Sequence, residues 1–435
     1  MGQLKAGAAK ANITPYVGIN MSGFGNRTKP SVGVHDDLHV KALVLDDGTT
    51  QIGIVSCDLL NLDESSIASI REKAQELTGM DGESIFISAT HTHSGPLTSP
   101  LRGFGKLDRG WVSVLEKKIA GAVSMAHSRL QEASIGAGKG HAEINLNRRE
   151  KRDDRVVIGI DPGGAIDYEV GVIRIDDAEQ NPLCTIVNYA CHPVVLGGGN
   201  YLISADYPGY AMRLIEQVQG TDSLAMFLNG TTGNLNPIRV GRTFEEAKQR
   251  GTILGAEALK VWESIETLSD VELGMAKETV ELKSGELPSE DELETIIAER
   301  KKGLAASDPK RSMDREITLS WAQDALTMVK RGKKSAITPV EVQVLRLGKI
   351  MLAGIPGEVF VEIGLGIKAG SSFEHTYAVS QTNGNIGYMP TKKAFQEGGY
   401  ETHSAYRLYG IYPMDQDVAE KMIGSSLKLI DSIKE

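Results

Sequence analysis

The chain has 435 residues, of which 41% are hydrophobic, 24% charged and 5% aromatic, and it carries a formal net charge of −10. This is the composition of a globular protein large enough to build a core without covalent staples. The acidic balance excludes general nucleic-acid binding, which needs clustered cations against phosphate, and no apolar run is long enough for a membrane-spanning helix, so no stable membrane association is expected.

Residues 1–12 hold no apolar core of a signal peptide, which sets the expectation of a cytoplasmic protein. Residues 39–46 and 51–60 read as two strands joined at Asp46-Asp47-Gly48, a hairpin turn signal. Residues 64–77 have helical spacing, 84–90 form an apolar strand, and 111–130 form a helix. Strand-like runs follow at 133–138, 169–175 and 184–191, then a helix at 210–218, a strand at 224–228 and a long helix at 244–265. Gly136-Ala137-Gly138-Lys139-Gly140 fits neither dinucleotide-binding nor P-loop spacing and reads as a turn. Cys57 and Cys184 lie in apolar runs and read as buried thiols.

Residues 286–334 change character. They are charged and helix-prone, opened by Pro288-Ser289-Glu290 with Ser289 as a cap, and read as a helical insertion over the main body. The basic runs Lys301-Lys302 and 330–334 read as its solvated face. Strands then resume at 339–347 and 349–355, followed by a helix from about Glu358, a strand at 376–381 and a closing helix at 415–433. Alternation with an early hairpin gives an α/β fold with mixed β-sheets flanked by helices.

Five of these apolar strands end in polar, glycine-containing turns, and in open α/β sheets the crevice at strand carboxyl ends is where ligands bind. The ends are Thr90-His91-Thr92-His93, His192-Pro193, the segment from Asn229 to Asn234, Pro356-Gly357-Glu358 and Asn383-Gly384-Asn385. His91 and His93 are two apart, so on an extended backbone both imidazoles face one way and can offer two nitrogens to a zinc ion at about 2.0–2.1 Å. The plainer reading is a polar strand end satisfied by Thr90 and Thr92. His192 and Glu358, at two further strand ends, complete the donor set of a catalytic zinc site with one position left for water. No G-x-S-x-G elbow is present, which disfavours an ordinary serine hydrolase.

A series of motifs runs in order from about residue 5 to 410: Ala11-Asn12-Ile13-Thr14-Pro15, Met21-Ser22-Gly23-Phe24-Gly25, Gly33-Val34-His35-Asp36-Asp37-Leu38, and Thr90-His91-Thr92-His93-Ser94-Gly95-Pro96. It continues through Asn145-Leu146-Asn147-Arg148, Gly171-Val172-Ile173-Arg174, His192-Pro193, Gly233-Asn234-Leu235-Asn236-Pro237, Pro356-Gly357-Glu358 and Tyr388 with Thr391. The series resembles the neutral/alkaline, non-lysosomal ceramidases and their bacterial homologues. The resemblance implies one ceramidase-like catalytic domain over residues 1–435. It also implies a zinc ion held by His91, His192, Glu358 and Tyr388. His93 would then be free to work on substrate or water, Arg148 would face a developing oxyanion, and Tyr400 would be a further active-site tyrosine.

Two departures bear on the reaction. Asn236 stands where the family carries a serine, and an amide cannot serve as a nucleophile; it can orient a water or donate to an oxyanion. The closing helix near the last residue also sets the expectation that the family's extra C-terminal β domain is missing. The expected function is a zinc-dependent hydrolase using metal-activated water on an amide-like, ester or lactone bond of a small, polar, soluble substrate. The alternatives are a carbohydrate-active hydrolase or lyase on the same metal site, and a non-catalytic binding homologue. A homo-oligomer is compatible with every reading.

Overall fold

The runs at 39–46, 51–57 and 182–189 are apolar on both sides, the pattern of strands covered on two faces. In the computed structural model they are buried along nearly their whole length. The structure describes residues 3–220, 223–302 and 309–434. Eight strands form one sheet in the spatial order Leu224–Asn229, Pro182–Tyr189, Glu169–Asp177, Gln131–His141, Lys5–Asn12, His39–Asp46, Gln51–Cys57, Ile85–Ala89. Only the outermost pair at each edge is parallel. Four more strands, Leu273–Lys283, Ile337–Leu347, Ile350–Gly354 and His375–Val379, form a second mixed sheet.

The two sheets stack face to face, with Phe86, Ile186, Met226, Leu345, Leu352 and Tyr377 among the side chains between them. Helices Glu64–Thr78 and Arg109–His127 cover one half of the large sheet's outer face, and Asp206–Gln219 and Phe244–Trp262 cover the other half. Helices Val361–Gly370 and Val418–Ser432 cover the small sheet. The order of layers is therefore helix, sheet, sheet, helix, an α/β fold with mixed sheets as expected.

Coiling of the large sheet brings its two edges together. Ser56 Oγ donates to Phe227 O across the gap at 2.7 Å, and Lys41 Nζ to Ala225 O at 2.6 Å. The carboxyl ends of Ile85–Ala89 and Leu224–Asn229, at opposite ends of the strand order, thus arrive side by side.

Residues 136–140 lie inside the strand Gln131–His141, not in a turn. Their glycines serve close packing instead. A Cβ at Gly136 would sit 2.1 Å from Glu266 O, and one at Gly138 2.9 Å from Val261, so the helix Phe244–Trp262 and its tail can lie directly on the backbone. Between the strands Leu273–Lys283 and Ile337–Leu347 lie the helices Glu290–Lys302 and Pro309–Lys330; residues 303–308 lie outside the described residues. Ser289 caps the first of them, since Glu292 N–H donates to Ser289 Oγ at 3.3 Å and Ser289 N–H to Glu292 Oε2 at 2.8 Å. The insertion replaces the turn of a long hairpin whose register runs from Leu273↔Leu347 to Lys283↔Ile337. Its apolar seam of Leu293, Trp321, Ala322 and Ala325 packs on Tyr406 and Tyr412. Cys57, Cys184 and Cys191 are all buried free thiols.

Phe86, fully buried between the sheets, carries the first prediction. Phe86→Ala should lower the unfolding free energy in urea by about 3–5 kcal/mol, whereas Val218→Ala, at 62% exposure, should shift it by less than about 0.5 kcal/mol.

Candidate metal and active site

His91 follows the strand Ile85–Ala89 and donates its N–H to Leu59 O at 2.8 Å. Its φ of +68° is left-handed, an uncommon conformation for a residue other than glycine and one kept only where the surroundings enforce it. This turn, not the alternation of an extended strand, directs the His91 and His93 rings to one point, where their Nε2 atoms lie 3.3 Å apart. The expected reason for their convergence is thereby corrected. Gly23, at φ +92°, makes room for the second ring: a Cβ there would sit 2.6 Å from His93 Cβ.

All three histidines are anchored through Nδ1 to backbone carbonyls. His91 reaches Leu60 O at 2.8 Å, His93 reaches Gly23 O at 2.9 Å, and His192 reaches Thr232 O and Leu235 O at 2.7 and 2.9 Å. A carbonyl only accepts, so each Nδ1 carries the proton and each Nε2 turns its lone pair inward. His192 Nε2 is 3.2 Å from His91 Nε2 and 3.0 Å from Glu358 Oε2, which in turn is 3.5 Å from His91 Nε2. Four ligands at 2.0–2.1 Å around a tetrahedral ion are separated by about 3.3–3.4 Å. His91, His192 and Glu358 thus form a closed triangle of the right edge length, while His93 Nε2 has only His91 Nε2 at hydrogen-bond length among the described residues. The buried cluster of His91, His93 and His192 could hold a metal ion.

Glu358 is not in a helical turn as expected. Glu358–Val359 is a two-residue strand paired in parallel with Tyr388–Met389, and the helix begins at Val361. The register Glu358↔Tyr388 sets these two side chains next to each other. Arg148 enters from the strand Asn145–Arg152, at a break in its pairing with Arg155–Asp161 between Asn147 and Arg149. Such bulges re-aim a side chain. Arg148 Nη2 donates to Tyr388 Oη at 3.0 Å, Nη1 to Asn236 Oδ1 at 3.2 Å, and Nε to Glu401 Oε1 at 3.0 Å. Tyr400 packs edge-on against Tyr388, with ring centroids 5.6 Å apart.

Burial pushes the His192 imidazole down to about 4, with the Arg148 charge adding to the effect, and burial beside His91 and His192 holds His93 well below its usual range. Both are neutral at pH 7, the form that coordinates metal. Burial also raises Tyr388 and Tyr400, with Arg148 opposing in each case, so both are neutral phenols in the metal-free protein.

His93, Arg148, Asn236, Tyr388 and Tyr400 line one cavity of about 440 Å³. Its walls are apolar: Phe24, Leu146, Ile158, Ile160, Ile238 and Val240. Ile158 and Ile160 remain more than half exposed at its mouth. These walls depart from the polar pocket implied by an expected polar substrate, because the apolar residues come from a hairpin and a loop whose position beside the site no local pattern reveals.

Two side chains that contact the site residues escape sequence reading. Tyr409 donates its hydroxyl to Glu358 Oε1, leaving Oε2 to the histidines. Glu401 bridges Arg148 and Arg149. One signal was available: Tyr400, Tyr406, Tyr409 and Tyr412 place four of the chain's 12 tyrosines in a single short segment.

The profile of the family described as neutral/alkaline non-lysosomal ceramidase, N-terminal, matches residues 4–252, more than half of the chain. Neutral ceramidase B of Dictyostelium discoideum is 26% identical over 248 residues, 52% of this chain and 34% of that protein, so the match spans about a third of the relative's length. The neutral ceramidase of Mycobacterium tuberculosis is 22% identical over an alignment of 497 residues covering 96% of this chain and 76% of its own length. The crystal structure of neutral ceramidase from Pseudomonas aeruginosa superposes with a TM-score of 0.74 at 18% identity, over 99% of this chain and 75% of that one. That last likeness is one of fold.

Each chain should bind one divalent cation, and His91→Ala should lose it in elemental analysis of the purified protein. Occupancy should hold as pH falls from 7.5 and collapse toward pH 4, where His192 takes up a proton. Equilibrium dialysis across that range checks the direction; loss already complete at pH 6.5 would show histidines with ordinary basicity.

Proposed function

The chain belongs to the neutral/alkaline non-lysosomal ceramidase family, and from that premise we propose that it hydrolyses the N-acyl amide bond of a ceramide-type amphiphile, using a zinc ion held by His91, His192, Glu358 and Tyr388. One observation supports this reading above the others. An acceptor-only cluster of histidines and Glu358 faces the donors of Arg148 and Asn236, and members of both groups line one cavity with apolar walls. When bound, zinc polarises a scissile carbonyl and lowers the pKa of a water to about 7, so the family's serine is dispensable.

The chain's own residues supply the rest. Arg148, buried beside Tyr388, Glu401 and Glu358, stays protonated at any working pH. With Asn236 Oδ1 engaged by Arg148, the amide NH2 is the part of Asn236 left to donate. These donors stabilise negative charge as it develops on the carbonyl oxygen, an effect worth about 10²–10³ in rate for one such contact. His93, neutral and fixed on Gly23 O, takes a proton at Nε2 and returns it to the leaving amine. Tyr400 steadies the Tyr388 ring. The walls accommodate an acyl chain, each methylene removed from water contributing about 0.8 kcal/mol. The same walls disfavour a polyhydroxylated sugar, and the complete donor set disfavours a protein that only binds.

A panel of N-acyl sphingoid bases from two to sixteen carbons, set against small polar amides and esters with and without added zinc, tests the reading. Turnover should be greatest among the N-acyl amphiphiles and vanish with a chelator; no hydrolysis of any member would overturn it. Glu358→Ala should be close to inactive, whereas Asn236→Ala should retain measurable activity, about 10²–10³-fold down at most. Asn236→Ser should form no covalent acyl-enzyme detectable by mass spectrometry.

A further inference from the structure

Arg148 and Arg149 are consecutive residues on one strand, and on a regular strand their side chains would leave opposite faces. The register shift between Asn147 and Arg149 removes that alternation, and both guanidinium groups reach one carboxylate. Glu401 Oε1 accepts from Arg148 Nε at 3.0 Å, and Oε2 accepts from Arg149 Nη1 at 2.7 Å. All three side chains are buried, Glu401 to 4% exposure. Arg149 is itself tied down, since its Nη2 donates to Gly398 O at 2.7 Å and lies 3.7 Å from Glu397. It therefore holds Glu401, and it does not line the cavity.

A guanidinium is planar, and fixing Nε determines where its other two nitrogens point. With Nε on Glu401, Nη1 meets Asn236 and Nη2 meets Tyr388, both on the cavity wall. Glu401 is absent from the residues lining that cavity. We infer that Glu401 is a positioning residue that acts through Arg148, setting the direction in which the guanidinium and the Asn236 amide meet the reacting carbonyl. The inference rests on the hydrolytic reading of the site.

The test is a double-mutant cycle with N-hexanoyl sphingosine as substrate. Glu401→Gln should lower kcat by about 10- to 100-fold, the scale expected when a catalytic donor is misplaced by about an ångström, with KM within about threefold and bound metal unchanged. In an Arg148→Ala background the same substitution should cost less than about threefold, because its effect is already spent. Glu401→Asp, which keeps the charge one methylene further back, should recover part of kcat. Equal losses in the two backgrounds, a change confined to KM, or Glu401→Asp no better than Glu401→Gln would each overturn the inference. A crystal structure of the Glu401→Gln protein gives a reading independent of turnover. Arg148 should leave at least one of its contacts to Asn236 and Tyr388, and retention of both would overturn the proposal. If the parent enzyme does not cleave the substrate, the proposed function fails and the crystal structure still decides the role of Glu401.

Discussion

The site is organised around a crowding of lone pairs. The Nε2 atoms of His91 and His192 and the Oε2 atom of Glu358 converge at 3.0–3.5 Å, His93 Nε2 joins them through His91 Nε2 at 3.3 Å, and each histidine has already committed its only proton to a backbone carbonyl. With Glu358 ionised, no hydrogen stands between these acceptors. In a buried setting their mutual repulsion is weakly screened, so the arrangement persists only because the scaffold imposes it, and a cation at the centre turns that repulsion into attraction. The left-handed backbone at His91, the coiled large sheet that brings its two edges together, and the parallel ladder joining Glu358 to Tyr388 all serve this one convergence.

Around the cluster the buried charges cancel in pairs: Arg148 and Arg149 against Glu358 and Glu401. Buried ion pairs of this kind contribute little net stability, since desolvation offsets attraction, but they fix geometry because removing one partner leaves a charge stranded. The division of labour is visible atom by atom. Glu358 accepts the Tyr409 hydroxyl on one oxygen and turns the other toward the histidine Nε2 atoms. Glu401 takes one arginine on each oxygen. Each carboxylate is thereby held in a single orientation, and so is whatever it supports.

The chain's elements were legible where periodicity was strong: the early hairpin, the stacked strands, the capped insertion. His91, His192 and Glu358 were legible as strand-end residues because polar groups directly after apolar runs are hard to explain otherwise. What sequence could not convey was pairing at a distance. Glu358 and Tyr388 are 30 positions apart, and nothing local indicates that a two-residue strand at each will align them. The glycines of 136–140 look like a turn in sequence and prove to be a strand overlain by helix, since the partner that requires them lies more than 100 residues away. Glu401 was invisible for a similar reason: its role depends on a bulge, and bulges leave no regular pattern.

Asn236 shows how one substitution can redistribute a site's chemistry without dismantling it. It sits on the strand Leu235–Pro237, paired with Leu146 beside the bulge that turns Arg148 inward, so its position is set by the same ladder. A hydroxyl there could donate, accept or attack. An amide cannot attack, and with its oxygen accepting from Arg148 its NH2 is the group free to donate. In the proposed reaction the nucleophile then comes from water, and the residue's contribution is to stabilise charge on the carbonyl oxygen. In that proposal more of the work falls on Arg148, which Glu401 contacts through Nε, and on the neutral His93 as proton carrier. The lone-pair cluster, the arginine and its carboxylate, with an amide at position 236, together support the proposal of attack by water.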